Sequence, residues 1–277
     1  MYGDVATQNQ RLTYVPDEDD SPTLRARRAH RRHTLGADDP RTLSLANNVA
    51  HAHRAQGRYD QARCLDEDTL ARRCAMLGPD HPKTLSSANN LVVDLAALGD
   101  HDRARRLADD TLAHRRRVLG DDHPDTLSSA NNLARVLRAL GDVAQACRLA
   151  DDTLTRRRSV LGNDHPSTLS SANNLVVDLA ALGEHERARR LADDTLGRRR
   201  RVLGDDHPDT LSSANNLAHV LRLQGEYEGA RRIDEDTLSR RRNVLGEDHP
   251  DTVSSANNLT IDLQELGDGE HARDRNG

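Results

Sequence analysis

One feature of the sequence limits the fold more than any other: a repeat of constant length. The pair Asn-Asn occurs six times, and each pair follows the previous one after 42 residues. Six glycines keep the same step: Gly57, Gly99, Gly141, Gly183, Gly225 and Gly267. A constant period between about 20 and 50 residues is typical of arrays in which each unit packs on its neighbours. The sequence therefore predicts a stack of similar units rather than a globule around one central core.

The composition favours thin helical layers over a thick core. The 277 residues include no Phe or Trp and four Tyr, and 31% of them are charged. Burial must therefore rest on Leu, Val and Ala, which suits helices packed in layers. The chain has three cysteines without a Cys-x-x-Cys pair, and it has no apolar run of membrane-spanning length. We therefore expect free thiols in a soluble, cytoplasmic protein.

The unit at 121–162 shows what each repeat encodes. A polar cap and Pro124 open a first helix, because Pro at the first helical position is a typical helix start. Apolar residues then follow at helical spacing until Gly141. A second apolar stripe, which includes Val160, runs to Gly162, a typical helix stop. Each repeat is therefore predicted to be a helical hairpin that buries its apolar faces by stacking on its neighbours.

The repeats share the pattern LGxDHPxT…NNLA…G…A…L. This pattern resembles the tetratricopeptide repeat, in the kinesin light chain-like 42-residue subtype found in actinobacterial signalling proteins. The resemblance covers about residues 35–267 and implies an all-α, right-handed solenoid of stacked antiparallel helical hairpins. It also implies that the first helix of each hairpin lines a concave groove. The sequence departs from the family pattern in having Leu or His at most positions that are usually aromatic, with Tyr59 and Tyr227 as the exceptions.

The register of the repeats divides the chain into three parts. We expect residues 1–20 to form a disordered N-terminal segment and residues 268–277 a disordered C-terminal tail. Residues 21–267 form the predicted tetratricopeptide array, which consists of a partial repeat, five full 42-residue hairpins and a final unpaired helix.

The repeats fall into two alternating classes. Those at 79–120 and 163–204 share NNLVVDLAALG, whereas those at 121–162 and 205–246 share NNLA followed by Arg or His and then VL. The copying unit is therefore a pair of hairpins, 84 residues long. Residues that recur within this unit are copies and not independent observations.

The paired asparagines are the first candidate binding residues. On a helical wheel, both members of each pair lie on the face of the first helix away from the hairpin seam. In the tetratricopeptide family that face lines the groove, and the second asparagine matches the one that holds ligand backbone in several relatives. A side-chain amide donates and accepts hydrogen bonds as a peptide group does, so it suits an extended chain. The predicted peptide-binding asparagines are Asn48, Asn90, Asn132, Asn174, Asn216 and Asn258.

A structural role is the alternative, in which the asparagines bond between helices or to water. Asn is unfavourable in helix interiors, so six copies indicate a benefit of one kind or the other. For the first asparagine of each pair we predict the structural role.

Neighbours on the same arc of the first helix are predicted to give the groove its specificity. One repeat class supplies basic bands, which predict an acidic partner segment whose binding weakens with salt and above pH 7, as the histidines lose charge. Solvated surface charge is the alternative for any one pair. The basic bands are His51/Arg54, Arg135/Arg138 and His219/Arg222, and the apolar bands of the other class are Val93/Ala96, Val177/Ala180 and Ile261/Gln264.

Two further patterns are interpreted as structural. One histidine per repeat precedes Pro at a helix start, and this spacing predicts helix caps rather than ligands that converge on one metal ion. The Arg runs lie in the last turns of second helices, where a cation favours the helix dipole, and no aromatic residues accompany them for stacking on nucleic-acid bases. One arginine of each run is predicted to pack its stem and pair with a loop acid: Arg115, Arg157, Arg199 and Arg241.

The sequence contains no nucleotide-binding, hydrolase or zinc-protease motif, so we expect no enzyme activity, no cofactor and no metal. The leading hypothesis is a protein- or peptide-binding scaffold, with neither nucleic acid nor membrane as the partner. One alternative, which the resemblance implies, is a sensor or regulatory array of a bacterial NTPase-linked signalling system. The other is a structural solenoid that associates end to end through Leu259 and Leu263.

Overall fold

The computed structural model describes residues 21–274, with side chains for residues 26–267. This part of the chain forms twelve α-helices and no strand. The segment at 1–20, predicted to be disordered, and residues 275–277 lie outside the described residues. The helices are α1 (Ser21–Leu35), α2 (Pro40–Ala55), α3 (Tyr59–Leu77), α4 (Pro82–Ala97), α5 (His101–Leu119), α6 (Pro124–Ala139), α7 (Val143–Leu161), α8 (Pro166–Ala181), α9 (His185–Leu203), α10 (Pro208–Leu223), α11 (Tyr227–Leu245) and α12 (Pro250–Asp274).

The first helix of each hairpin starts at the predicted proline. In α6, the Nδ1 atom of His123 accepts a hydrogen bond from the backbone N–H of Asp125 at 3.1 Å. This bond satisfies one of the free N–H groups at the helix start. The same contact recurs at His81, His165, His207 and His249, so the predicted capping role of these histidines is confirmed.

The turn inside each hairpin depends on its glycine. Gly141 follows α6 with a φ of 85°, a left-handed conformation that residues with a Cβ rarely adopt. Asp142 then accepts a hydrogen bond from the backbone N–H of Gln145 at 3.3 Å and caps α7. The sequence predicted the end of the first helix at Gly141.

The chain divides into two compact units, residues 1–76 and 77–277, which are described separately. In the first unit, α1 packs on α2. Arg72 of α3 donates to Asp38 at 2.7 Å and to Asp68 at 2.9 Å. A buried ion pair between Arg54 and Asp66 joins α2 to α3.

In the second unit, consecutive helices pack on each other, which confirms the predicted all-α fold of stacked helical hairpins. The first helices α4, α6, α8 and α10 also contact one another from one repeat to the next. The second helices α5, α7, α9 and α11 pack mainly on the first helices before and after them. The first helices therefore lie closer together, so their outer side is the concave side of this unit. We call it the first-helix face.

Leu, Val and Ala fill the space between the helices, as the composition predicted. Leu137 and Leu179 of the first helices and Ala146 of a second helix are buried. The prediction for Val160 was wrong, because its side chain is 46% exposed. Val160 lies in the last turn of α7, where the helical wheel gives its direction but not whether a neighbour reaches that far.

The final helix is longer than the repeat predicts. The sequence placed its end at Gly267 and a tail after it, but α12 continues to Asp274. Gly267 does not have the left-handed conformation that Gly225 adopts, with a φ of 76°, at the equivalent turn. The residues after Gly267 read Asp-Gly-Glu and extend α12 instead of starting a second helix.

Candidate functional site on the first-helix face

The second asparagine of each pair lies on a first helix with part of its side chain accessible. Asn48 and five equivalents occupy this position, and Asn48 is the most exposed of them. The other five, Asn90, Asn132, Asn174, Asn216 and Asn258, are half-buried. In the second unit these five follow one another along the first-helix face.

Members of several asparagine pairs take part in hydrogen bonds between repeats. The Oδ1 atom of Asn89 accepts from the hydroxyl of Ser129 and from Nδ2 of Asn132, both at 3.1 Å. Asn131 accepts in the same way from Asn174, at 3.0 Å. We call this set of contacts the asparagine ladder. The predicted structural role of the first asparagine is confirmed for Asn89, Asn131, Asn173 and Asn215.

The ladder changes what the second asparagine can offer a ligand. The amides of Asn132, Asn174 and Asn258 each donate one hydrogen bond to the preceding repeat, at 3.1, 3.0 and 3.3 Å. An amide has two N–H donors and an oxygen that accepts, so capacity remains on the accessible side. Peptide binding by these residues therefore stays a prediction, but their substitution would also disturb the contact between repeats.

A buried arginine extends each step of the ladder. Nη1 of Arg157 donates to the backbone carbonyl of Ser167 at 2.7 Å and to the hydroxyl of Ser171 at 2.8 Å. Burial lowers the pKa of Arg157. The prediction that this arginine pairs with a loop acid is therefore wrong, since its partners are a backbone carbonyl and a hydroxyl. The equivalent arginines Arg115, Arg199 and Arg241 make the same two contacts.

This network was not predicted, although the sequence contains a signal for it. Every one of these arginines precedes its serine by 14 residues, and the serine belongs to the word SSANN. The Arg runs and the Asn pairs, which were interpreted separately, are thus parts of one buried polar network.

The second member of each basic band is an arginine whose charge is already paired within the fold. Arg138 donates to Asp178 at 2.8 Å. Arg222 donates to Asp234 at 2.5 Å and to Asp262 at 3.1 Å. These three aspartates are buried, and Arg54 in the first unit is paired with buried Asp66. The prediction that Arg54, Arg138 and Arg222 supply free groove charge was therefore wrong, because the fold itself compensates them.

The first member of each basic band is exposed: His51, Arg135 and His219. Partial burial lowers the pKa of His219, and the charges of Arg222 and His185 lower it further. His219 is therefore mostly neutral at pH 7, and raising the pH further removes little charge from it. The expected loss of binding above pH 7 does not apply at this residue.

The apolar bands are smaller than predicted, because Ala180 is buried against the core that contains Val220. Val93 and Val177 are half-buried and Ile261 is exposed. Successive first helices thus alternate: Arg138 pairs with Asp178 at one junction, whereas the equivalent residues at the next, Ala180 and Val220, are both apolar and buried. This alternation has the same period as the 84-residue copying unit.

The opposite side of the second unit has open clefts between second helices. One of about 440 Å³ lies between α5 and α7 and is lined by residues that include Asp109, Arg116 and Arg148. Among the described residues, no group of three or more His, Cys, Asp or Glu side chains could hold a metal ion. None of the helices described is long and apolar enough to cross a membrane.

Sequence comparison identifies the family. A tetratricopeptide repeat model matches residues 42–83, 126–167, 168–209 and 210–251, and a second such model matches residues 83–146. The chain belongs to the tetratricopeptide repeat family. Arrays of this family are protein-interaction scaffolds and are typically not catalytic.

Solved structures with the same fold include three informative ones. The first contains tetratricopeptide-like repeats, nearly identical to one another, of a kinesin light chain from Podosopora anserina. Its sequence is 26% identical to this chain, with a TM-score of 0.60, and the match covers 73% of this chain and 96% of that one. BtubC (BKLC) from P. vanneervenii is 19% identical, with a TM-score of 0.66 over 84% and 95%. NprR, solved with its cognate peptide NprX, is 15% identical, with a TM-score of 0.61 over 90% and 75%. No curated protein matches the sequence. The predicted kinesin light chain-like type of repeat is thus confirmed.

Proposed function

We propose that the chain is a non-catalytic scaffold whose first-helix face holds an extended segment of a partner protein. The observation that carries this proposal is the row of half-buried second asparagines on the concave side of the second unit. Asn132, Asn174 and Asn258 are held in place by the asparagine ladder, so little side-chain freedom is lost when a ligand binds there. NprR, which has the same fold, was solved with a peptide bound.

The partner segment in this proposal is acidic, and Arg135 is the residue that favours it. Arg135 is exposed in the middle of the first-helix face. The salt bridges of Arg138 and Arg222 reduce the positive charge that the sequence attributed to the face. We therefore expect a modest preference for Asp, Glu or a free carboxylate next to α6, rather than a strongly basic groove.

Charge reversal tests the face more sharply than asparagine substitution, because it leaves the ladder intact. Peptides selected on the immobilised chain from a display library would be titrated against wild type, Arg135→Glu and Arg148→Glu. Arg148 is also exposed but lies on α7, at the cleft on the opposite side. We expect Arg135→Glu to weaken binding about tenfold, which is roughly 1.4 kcal/mol, and Arg148→Glu to change it little.

Salt provides an independent check, because exposed charge pairs are screened over about 10 Å at 0.1 M ionic strength. Binding should weaken as salt is added to wild type, and less so in Arg135→Glu. A ligand that ignores Arg135→Glu but is lost in Arg148→Glu would place the site on the second helices and refute the proposal.

One observation favours end-to-end self-association as a second function. Helix α12 exposes Val253, Ile261 and Leu263, whereas Leu259, the other predicted contact residue, is half-buried. Sedimentation of wild type and Leu263→Glu over a range of concentrations tests this. Association that depends on concentration and is lost in the variant would support it, and a monomer at all concentrations would refute it.

A further inference from the structure

In the second unit, the two repeat classes meet at two arginine sites that differ in composition. At the first, Arg138 of α6 donates to a single carboxylate, Asp178 of α8, at 2.8 Å. The residue twelve positions after Arg138 is Ala150, which is buried in α7. Burial raises the pKa of Asp178, and Arg138 partly opposes this. One cation thus faces one anion.

At the second site, one guanidinium nitrogen serves two carboxylates. Nη1 of Arg222 in α10 lies 2.5 Å from an oxygen of Asp234 in α11, twelve residues later in the chain. The same atom lies 3.1 and 3.2 Å from the two oxygens of Asp262 in α12. Both aspartates are fully buried. One positive charge therefore faces two buried negative charges.

The other charged group that acts on Asp234 is Arg241 of the same helix. The Nη1 atom of Arg241 donates to the carbonyl of Asp251 and to the hydroxyl of Ser255. Among the described residues, Oδ1 of Asp234 is buried and has no hydrogen-bond partner. An unpaired buried carboxylate oxygen is costly, and protonation of the carboxyl removes that cost.

Burial raises the pKa of Asp234 to about 6, with Asp262 adding to the effect and Arg222 partly opposing it. In the unfolded chain this carboxyl titrates near its ordinary value of 3.8. The folded state therefore binds the proton more tightly than the unfolded state. Because of this linkage, the site becomes more stable as the pH falls from about 7 towards 4.

We propose that Arg222, Asp234 and Asp262 form a latch that holds α12 on the array more tightly in acid. At neutral pH the Arg222 guanidinium is shared between two buried carboxylates, Asp234 and Asp262, which repel each other. On acidification Asp234 takes up a proton, this repulsion disappears, and the protonated carboxyl can donate a hydrogen bond to Asp262. The latch rests on these three side chains and does not depend on what the first-helix face binds.

Hydrogen exchange of the whole chain, followed by mass spectrometry and corrected for intrinsic rates, tests the latch. Helix α12 is the natural probe, because terminal units of an array open locally. Between pH 7 and pH 5, we expect protection of α12 peptides in wild type to rise by up to about tenfold. Asp234→Asn removes the charge and keeps the shape of the side chain. Asp234→Ala introduces the residue that occupies the equivalent position, Ala150, at the Arg138 site. In both variants α12 should be protected almost equally at the two pH values.

Asp236→Asn is the matched control. It makes the same charge change on the same helix, at an exposed residue paired with Arg240. This variant should retain the wild-type response of α12. The latch is wrong if wild-type α12 gains no protection in acid, or if Asp234→Asn responds to pH as Asp236→Asn does.

Discussion

Helices α8 and α12 have closely related sequences, SSANNLVVDLAALG and SSANNLTIDLQELG, but very different surroundings. Leu179 of α8 is fully buried, whereas its equivalent in α12, Leu263, is 51% exposed. Leu169 is 2% exposed and its equivalent Val253 is 47% exposed. Burial of a first helix therefore depends on the hairpin that follows it and is not a property of the helix alone. In such an array, stability is close to a sum over neighbouring contacts.

The largest expected difference between the two helices concerns these leucines. Leu179→Ala should lower the free energy of unfolding by about 2–5 kcal/mol, because it leaves a cavity in a packed core. Leu263→Ala should cost less than about 1 kcal/mol, since half of that side chain is already in contact with water. Urea titration followed by circular dichroism measures both variants. Equal losses would mean that another molecule covers α12 in solution, and the comparison would fail.

A smaller difference is expected in the asparagine ladder. Asn131 accepts from Asn174 at 3.0 Å, so Asn131→Ala should cost about 1 kcal/mol through that lost bond. Asn257, its equivalent in α12, is exposed, and Asn257→Ala should change stability by less than about 0.5 kcal/mol. The same titration compares the two. A cost for Asn257→Ala as large as that for Asn131→Ala would show that the ladder does not act between repeats.

The helix caps should show no difference, which makes them a control for the comparison. His165→Ala and His249→Ala each remove one cap bond, at 3.1 Å in both helices. Each variant should cost about 0.5–1 kcal/mol, because a cap acts within its own helix. A much larger cost in α8 than in α12 would indicate that these histidines also contribute to contacts between repeats.

The features that the sequence predicted are those with local causes. Helix starts at His-Pro and turns at Gly141 and its equivalents follow from residues a few positions apart. The helical wheel also predicted a face of the first helix on which the second asparagines are partly accessible. It could not identify partners 40 residues away, so the salt bridge that occupies Arg138 was missed. Residues that form these contacts do recur at constant spacing. In copied repeats, however, every pair of residues recurs at constant spacing, whether or not the two residues are in contact.

The last helix shows a second limit of the repeat. By register, Gly267 is equivalent to Gly225, and a helix end was predicted there. A glycine permits the left-handed turn but does not require it. The following segment has to form a second helix for the turn to be favourable, and the residues after Gly267 do not supply one in the described part of the chain.

The alternation of salt bridge and apolar contact has a consequence for how such a gene can change in length. Arg138 finds its aspartate only if the next repeat belongs to the other class. A deletion of 42 residues at 163–204 would bring Val220 to the place of Asp178 and leave the arginine facing an aliphatic side chain. A deletion of 84 residues preserves every pairing between classes. Unequal recombination should therefore yield folded proteins in steps of two hairpins, and products that gain or lose an even number of hairpins are the ones that selection can keep.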